Sequence, residues 1–291
     1  MELGAMQLGR LGVWYSFDKL QPHQIPPFLK TVEALGYDTL WYPEARGFES
    51  LSIAGFALGQ TARLKLGSSI ASIYARDAFT ARQGLYTLRN LYGDRFVLGL
   101  GVSHVPMVEK LRGHTYEKPV PAMRRYLDGI TKDRDGAEAW PIAIAALGPL
   151  MLKLAAEKTR GALPYNVTPE HTRQAKAILG PSKWLVVEQK VCVETDAAKA
   201  RALGRNELAR YMGLPNYRNN WLRIGFTEAE LENGGSDRFI DAMVNWGDAA
   251  TVKAKLKAHF DAGATHVCLQ PVHAEGDTAS RDAMLEALAD A

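Results

Sequence analysis

Cysteine is scarce in this sequence: of 291 residues only Cys192 and Cys268 are thiols, each inside an apolar run. That excludes a disulfide framework, and with no Cys/His spacing of the zinc type the pair reads as reduced packing residues, with no metal site. No apolar run approaches the roughly 20 residues that cross a bilayer. No basic stretch followed by an apolar core opens the chain, so a cytosolic location without a membrane partner is expected. Neither sign of charge dominates: 35 Lys and Arg face 32 Asp and Glu, scattered rather than gathered into a tract, which argues against nucleic acid as a partner. A Gly-rich phosphate loop and a nucleophile elbow are also missing, and Gly99-Leu100-Gly101 is too short for a dinucleotide fingerprint.

What is present is an alternation that keeps returning. Hydrophobic residues make up 47% of the chain, an ordinary globular core, and residues 1–291 fit a single barrel-sized domain. After a tail to about Gln7, residues 10–15 read as a strand, Pro26 and Pro27 open a helix closed by Gly36, and residues 37–42 follow as a second strand. Strand, helix, strand is the unit that builds a parallel sheet. Further strands are read from Leu64 and at 96–102, 141–146, 162–165, 184–193 and 266–270. Helices fall near 50–61, after Asp77, and at 123–130, 149–161, 168–180, 196–212, 248–262 and 280–289, with a polar turn at 132–136. Residues 214–246 read as a helical insertion before the last strand. Eight strands alternating with helices predict an α/β fold, a (β/α)8 TIM barrel.

The chain is organised around residues 63–77, a strand that runs out into small residues before a helix starting near Asp77. In a barrel, chemistry sits at the carboxyl ends of the strands. That position selects Tyr15, Glu44, Ser69, Ile70, Ala71, His104, Gly148, Tyr165, Asn166, Glu188 or Glu194, and Gln270. Gly148-Pro149 turns a strand into a helix, whose first amides can hold an anion or simply make a tight turn. Glu44 suits a hydrogen bond to a polar ring or proton acceptance, or an ion pair with Arg46. His104 suits a proton donor near neutral pH, or a hydrogen-bonded loop residue.

Three motifs in order, Gly36-Tyr37-Asp38-Thr39-Leu40-Trp41, Arg63-Leu64-Lys65-Leu66-Gly67-Ser68-Ser69-Ile70 and Asp94-Arg95-Phe96-Val97-Leu98-Gly99-Leu100-Gly101, resemble the bacterial-luciferase-like flavin and deazaflavin oxidoreductases. The similarity is to the branch that uses coenzyme F420. The resemblance implies a tricyclic ring lying across the strand ends, backed by a bulge with a non-proline cis peptide at Ser69-Ile70. It also implies Glu44 near the polar edge of the ring, Gly148 at a polar part of the cofactor, and Pro164, Tyr165 and Asn166 along its tail. Members that oxidise a sugar phosphate have His where this chain has Ala45, and Glu where it has His104, so that substrate does not carry over.

The expected activity is therefore hydride transfer between coenzyme F420 and a small carbonyl, alcohol or activated alkene, with His104 or Glu44 moving a proton. An FMN-dependent monooxygenase of the same superfamily and a barrel that binds without redox chemistry are the alternatives. Family habit implies a homodimer, and the insertion at 214–246 either covers the pocket, joins a dimer or packs on the barrel.

Overall fold

The computed structural model describes residues 6–133 and 140–291; most of the expected tail and residues 134–136 of the expected polar turn lie outside these. In chain order the strands are β1 (Leu11–Trp14), β2 (Thr39–Tyr42), β3 (Lys65–Ser68), β4 (Ala71–Ser72), β5 (Phe96–Gly101), β6 (Ile142–Ile144), β7 (Gly161–Ala162), β8 (Trp184–Val193), β9 (Val244–Gly247) and β10 (His266–Pro271). The helices are α1 (Ile25–Ala34), α2 (Ser50–Gly59), α3 (Ala78–Tyr92), α4 (Pro119–Thr131), α5 (Pro149–Lys158) and α6 (Pro169–Leu179). They continue as α7 (Ala197–Met212), α8 (Pro215–Arg223), α9 (Asp237–Met243), α10 (Ala249–Asp261) and α11 (Thr278–Leu288).

The sheet runs β1-β2-β3-β5-β6-β7-β8, and β10 closes it by pairing with both β8 and β1, every ladder parallel. This is the expected TIM barrel. Alternation sorts the side chains into two buried layers. Trp14, Trp41, Val97, Ala143, Leu163, Trp184, Val186 and Cys268 pack inside the barrel. Val13, Leu40, Leu66, Leu98, Leu185 and Val267 pack outward against the helices. The polar tip of buried Trp41 is satisfied internally, since Nε1 donates to His266 Nε2 at 3.1 Å. Helix starts follow the capping residues: Asp77 accepts from Thr80 N at 2.9 Å, and Asp248 from Thr251 N at 2.8 Å.

The insertion departs from the expected all-helical segment. It holds α8 and α9, but ends in the strand β9, which lies parallel to the outer end of β8. The length of β8 explains this: Trp184 and Leu185 pair with β7, and Lys190 to Val193 would be left with an open edge on that side. β9 fills it. The sixth barrel strand is also shorter than expected, Gly161–Ala162 only.

Candidate active site at the barrel mouth

The third barrel strand is interrupted. Leu66 and Gly67 pair with Phe96 and Val97, whereas Ala71 and Ser72 pair with Leu100 and Gly101, so the register slips by one residue, as in a β-bulge. The bulge is fastened on both edges. Ser69 N donates to Tyr42 O at 2.6 Å and Glu44 N to Ile70 O at 3.2 Å on the β2 side. On the β5 side, Ser68 Oγ donates to Gly99 O at 2.8 Å and accepts from Gly99 N at 2.9 Å. The Ser69-Ile70 peptide is cis, as the resemblance implied. Ile70 turns inward over Gly101, where any Cβ would collide with its side chain.

Glu44 is engaged in holding this segment. Its Oε2 accepts from Ser72 N at 2.8 Å, and its Oε1 accepts from Ser50 N at 3.2 Å and from the Arg76 guanidinium. The side chains of Glu44 and Arg76 are 4% and 6% exposed. With both oxygens engaged and the group sealed from solvent, the carboxylate ties β2, β4 and α2 together. It is not free to take a proton from a substrate, and its partner is Arg76 rather than Arg46.

Two expected contacts point the wrong way. Tyr15 lies outside the barrel, its ring 5.0 Å from that of Phe28 and its hydroxyl 3.3 Å from His273 Nε2. The preceding residue, Trp14, takes the inward place. Ala71 likewise packs in the outer layer, fully buried. Pro164 is buried too, its carbonyl accepting from Glu188 N at 3.4 Å.

Across the barrel from the bulge, β8 and the end of β7 carry a polar cluster. Glu188 and Lys190 both point inward; Lys190 Nζ donates to Glu188 Oε1 at 3.1 Å and to Asn166 Oδ1 at 2.6 Å, and stands 4.1 Å from the centre of the Tyr165 ring. Burial pushes both members of the pair toward their neutral forms, and their mutual attraction opposes it. Asn166, with φ of 56°, also accepts Glu188 into its turn: its N–H donates to Glu188 Oε2 at 3.3 Å. The Tyr165 ring lies 5.2 Å from Trp14, and its hydroxyl meets Tyr211 at 2.8 Å and Gln270 Oε1 at 2.7 Å. Gln270 in turn donates to Glu207, which also receives Lys19 and Arg210. Tyr165 and Asn166 thus form part of this wall.

The α8 segment of the insertion leans over the same mouth. Trp221 Nε1 donates to Asn166 O at 3.0 Å, Arg223 Nη2 to Leu147 O at 2.6 Å, and the Tyr217 ring lies 5.9 Å from His104 and 6.1 Å from Tyr165. Three strand ends, those of β5, β6 and β7, are covered by one helix. Burial lowers the His104 pKa, against a hydrogen bond with Asn216 that raises it. At the far edge, a Cβ on Gly148 would stand 3.3 Å from Arg223 Nη1. The start of α5 therefore faces a guanidinium whose hydrogen-bond acceptors, Leu147 O and Asn220 Oδ1, are neutral.

Sequence reasoning missed Lys190, Tyr211, Tyr217 and Glu207. For Lys190 a signal existed: Glu188 and Lys190 are charged residues at the same parity within the apolar run Trp184-Leu185-Val186-Val187-Glu188-Gln189-Lys190-Val191. The others sit on helices whose facing depends on the packing of the insertion.

Comparison with known proteins agrees with this architecture. Residues 1–132 match the family described as luciferase-like monooxygenase. A Mycobacterium tuberculosis protein named as a coenzyme F420-dependent oxidoreductase is 33% identical over 129 residues, 44% of this chain and 36% of that one. The chain spans less than two thirds of the length of the curated relatives it matches. Among solved structures, an F420-dependent secondary alcohol dehydrogenase in complex with an F420-acetone adduct superposes with a TM-score of 0.72 at 15% identity, covering 97% of this chain and 99% of that one. The oxygenating constituent of 3,6-diketocamphane monooxygenase from Pseudomonas putida, in complex with FMN, gives a TM-score of 0.71 at 14% identity, covering 97% of each chain. Over its first 132 residues the chain is similar in sequence to the luciferase-like monooxygenase family, and its whole barrel shares the fold of these solved structures.

Proposed function

We propose that the protein is an oxidoreductase that binds coenzyme F420 across the open end of the barrel and exchanges a hydride between the deazaflavin and a small organic substrate. The observation that carries this reading is the pairing of a backbone wall with an anion end. Ser69 and Ile70 form a bulge pinned by Tyr42, Glu44 and Gly99, while Gly148 and Arg223 offer helix amides and a guanidinium at the mouth edge. A flat ring with an anionic tail fits such a site. The F420-dependent relative and the solved structure of the dehydrogenase support the choice.

When bound, the deazaflavin supplies the hydride chemistry, and the protein supplies position and exclusion of water. Ser69 and Ile70 would back the ring, Glu44 keeps that backing in place through Ser72 and Arg76, and Tyr217 with α8 would cover it. Burial holds His104 largely neutral near pH 7. Its imidazole is then better placed to take a proton from an alcohol than to give one to a carbonyl. His104→Ala should lower turnover while cofactor affinity stays within a few fold; unchanged turnover removes His104 from the mechanism. A homodimer in the cytosol belongs to the same proposal.

The family description and the FMN-bound neighbour favour one second reading, an FMN-dependent monooxygenase. Titration of the purified protein with F420 and with FMN separates them. Micromolar binding of F420 supports the first reading, binding of FMN alone supports the second, and binding of neither leaves a barrel that recognises its ligand without redox chemistry.

A further inference from the structure

The wall facing the bulge is aromatic. Trp14, Tyr165 and Tyr217 follow one another with ring centres 5.2 Å and 6.1 Å apart, and Tyr211 and Trp221 extend the row at 5.2 Å and 5.9 Å from Tyr217. The β6 side is low, with Ala143 and Ala145 in the inward positions. Aromatic faces opposite the bulge, with only small side chains on β6 between them, frame a slot, and a slot selects flat molecules.

The buried charge of this wall is balanced: Lys190 is matched by Glu188, while Lys19 and Arg210, both reaching solvent, share the carboxylate of Glu207. A bound anion would have to compete with a carboxylate already in place, at a large desolvation cost. Trp14 Nε1 and Asn166 Nδ2, beside Tyr165, and Asn220 Nδ2 on α8 are buried and have no hydrogen-bond partner among the described residues. The first two flank Tyr165, Trp14 through its ring and Asn166 through Lys190. A buried N–H without a partner is costly, and a neutral acceptor oxygen relieves it.

From these three features we infer that the oxidised member of the substrate pair is a planar, uncharged, conjugated carbonyl compound, held with its π system against Tyr165 and Tyr217 and its oxygen toward Trp14 Nε1 and Asn166 Nδ2. The inference rests on the proposed function for its chemistry, but concerns a wall that binds independently of the cofactor.

The test is equilibrium binding by titration calorimetry, with and without F420, using benzylideneacetone, its anionic counterpart trans-cinnamate, and the oxygen-free 1-phenyl-1-butene. The expected order is benzylideneacetone at least about tenfold tighter than cinnamate. Trp14→Phe, which keeps an aromatic ring but removes the N–H with part of the indole, should weaken the ketone about fivefold more than it weakens the hydrocarbon, the scale of one neutral hydrogen bond. Should that variant not fold, Asn166→Asp keeps the oxygen that meets Lys190 and replaces the donor with an acceptor, and should weaken the ketone at least as much. Cinnamate binding as tightly as the ketone, or ketone affinity indifferent to both substitutions, overturns the inference. Ketone binding without F420 binding would refute the cofactor reading alone, and F420 binding without ketone binding would refute the substrate class alone.

Discussion

Removing the Glu44 carboxylate separates a holding role from a catalytic one. Glu44→Ala deletes three interactions at once, those with Ser50 N, Ser72 N and Arg76. Breaking a buried ion pair by truncating one partner costs about 3 to 5 kcal/mol. Arg76 retains Glu49 at 2.7 Å, whose side chain is 47% exposed, so the lower end applies, about 3 kcal/mol. For a domain of this size that is a fall of about 6 °C in Tm, at about 2 °C per kcal/mol. Glu44→Gln keeps one acceptor oxygen and should fall by about half as much. Because Glu44 N and the carboxylate together hold Ile70 O and Ser72 N, F420 affinity should drop with stability in both variants. Thermal unfolding by circular dichroism and a cofactor titration make the comparison. A Tm for Glu44→Ala within about 1 °C of the parent, together with unchanged cofactor affinity, would refute the holding role and return Glu44 to the chemistry.

The other expectations concern the core around the site. Gly101→Ala places a methyl group against Ile70 and should cost about 1 to 3 kcal/mol by overpacking; wild-type stability would show that Ile70 does not lie there. Lys190→Met leaves Glu188 buried without its cation and should lose about 3 to 5 kcal/mol, whereas adding Glu188→Leu should recover much of it. Additive losses in urea unfolding would deny the coupling. His259 and His266, pushed down to about 4 by burial, stay neutral in the fold while the unfolded chain protonates near pH 6.5. Their contribution is complete above pH 6.5 and falls by about 1.4 kcal/mol per pH unit for each as the pH drops toward 4. Urea midpoints that do not change between pH 7 and pH 5 would contradict this.

The barrel was legible because a parallel sheet covered on both faces writes its strands as short apolar runs broken by Gly and Pro. The same property hid the phase of those strands. Where Trp14 and Tyr15 are both large and apolar, nothing local says which faces the axis, and the choice fell on Tyr15. The bulge was placed correctly because the resemblance covers residues 63–70. Glu44 was located but misread, since its partner Arg76 is distant in the chain and only the fold brings them together. β9 was missed because the alternation of Val244-Asn245-Trp246-Gly247 spans only four residues, too few to stand out from the helical segment before it, and it becomes a strand only beside the exposed flank of β8.

That flank has a practical meaning for anyone shortening the molecule. Excising residues 214–247 to obtain a minimal barrel would strip the partner from Lys190 to Val193 and present unsatisfied amides and carbonyls beside apolar side chains. Such a ribbon invites a second copy to zip onto it. The trimmed protein should precipitate or associate edge to edge, so the appendage over the mouth is also a guard against self-aggregation.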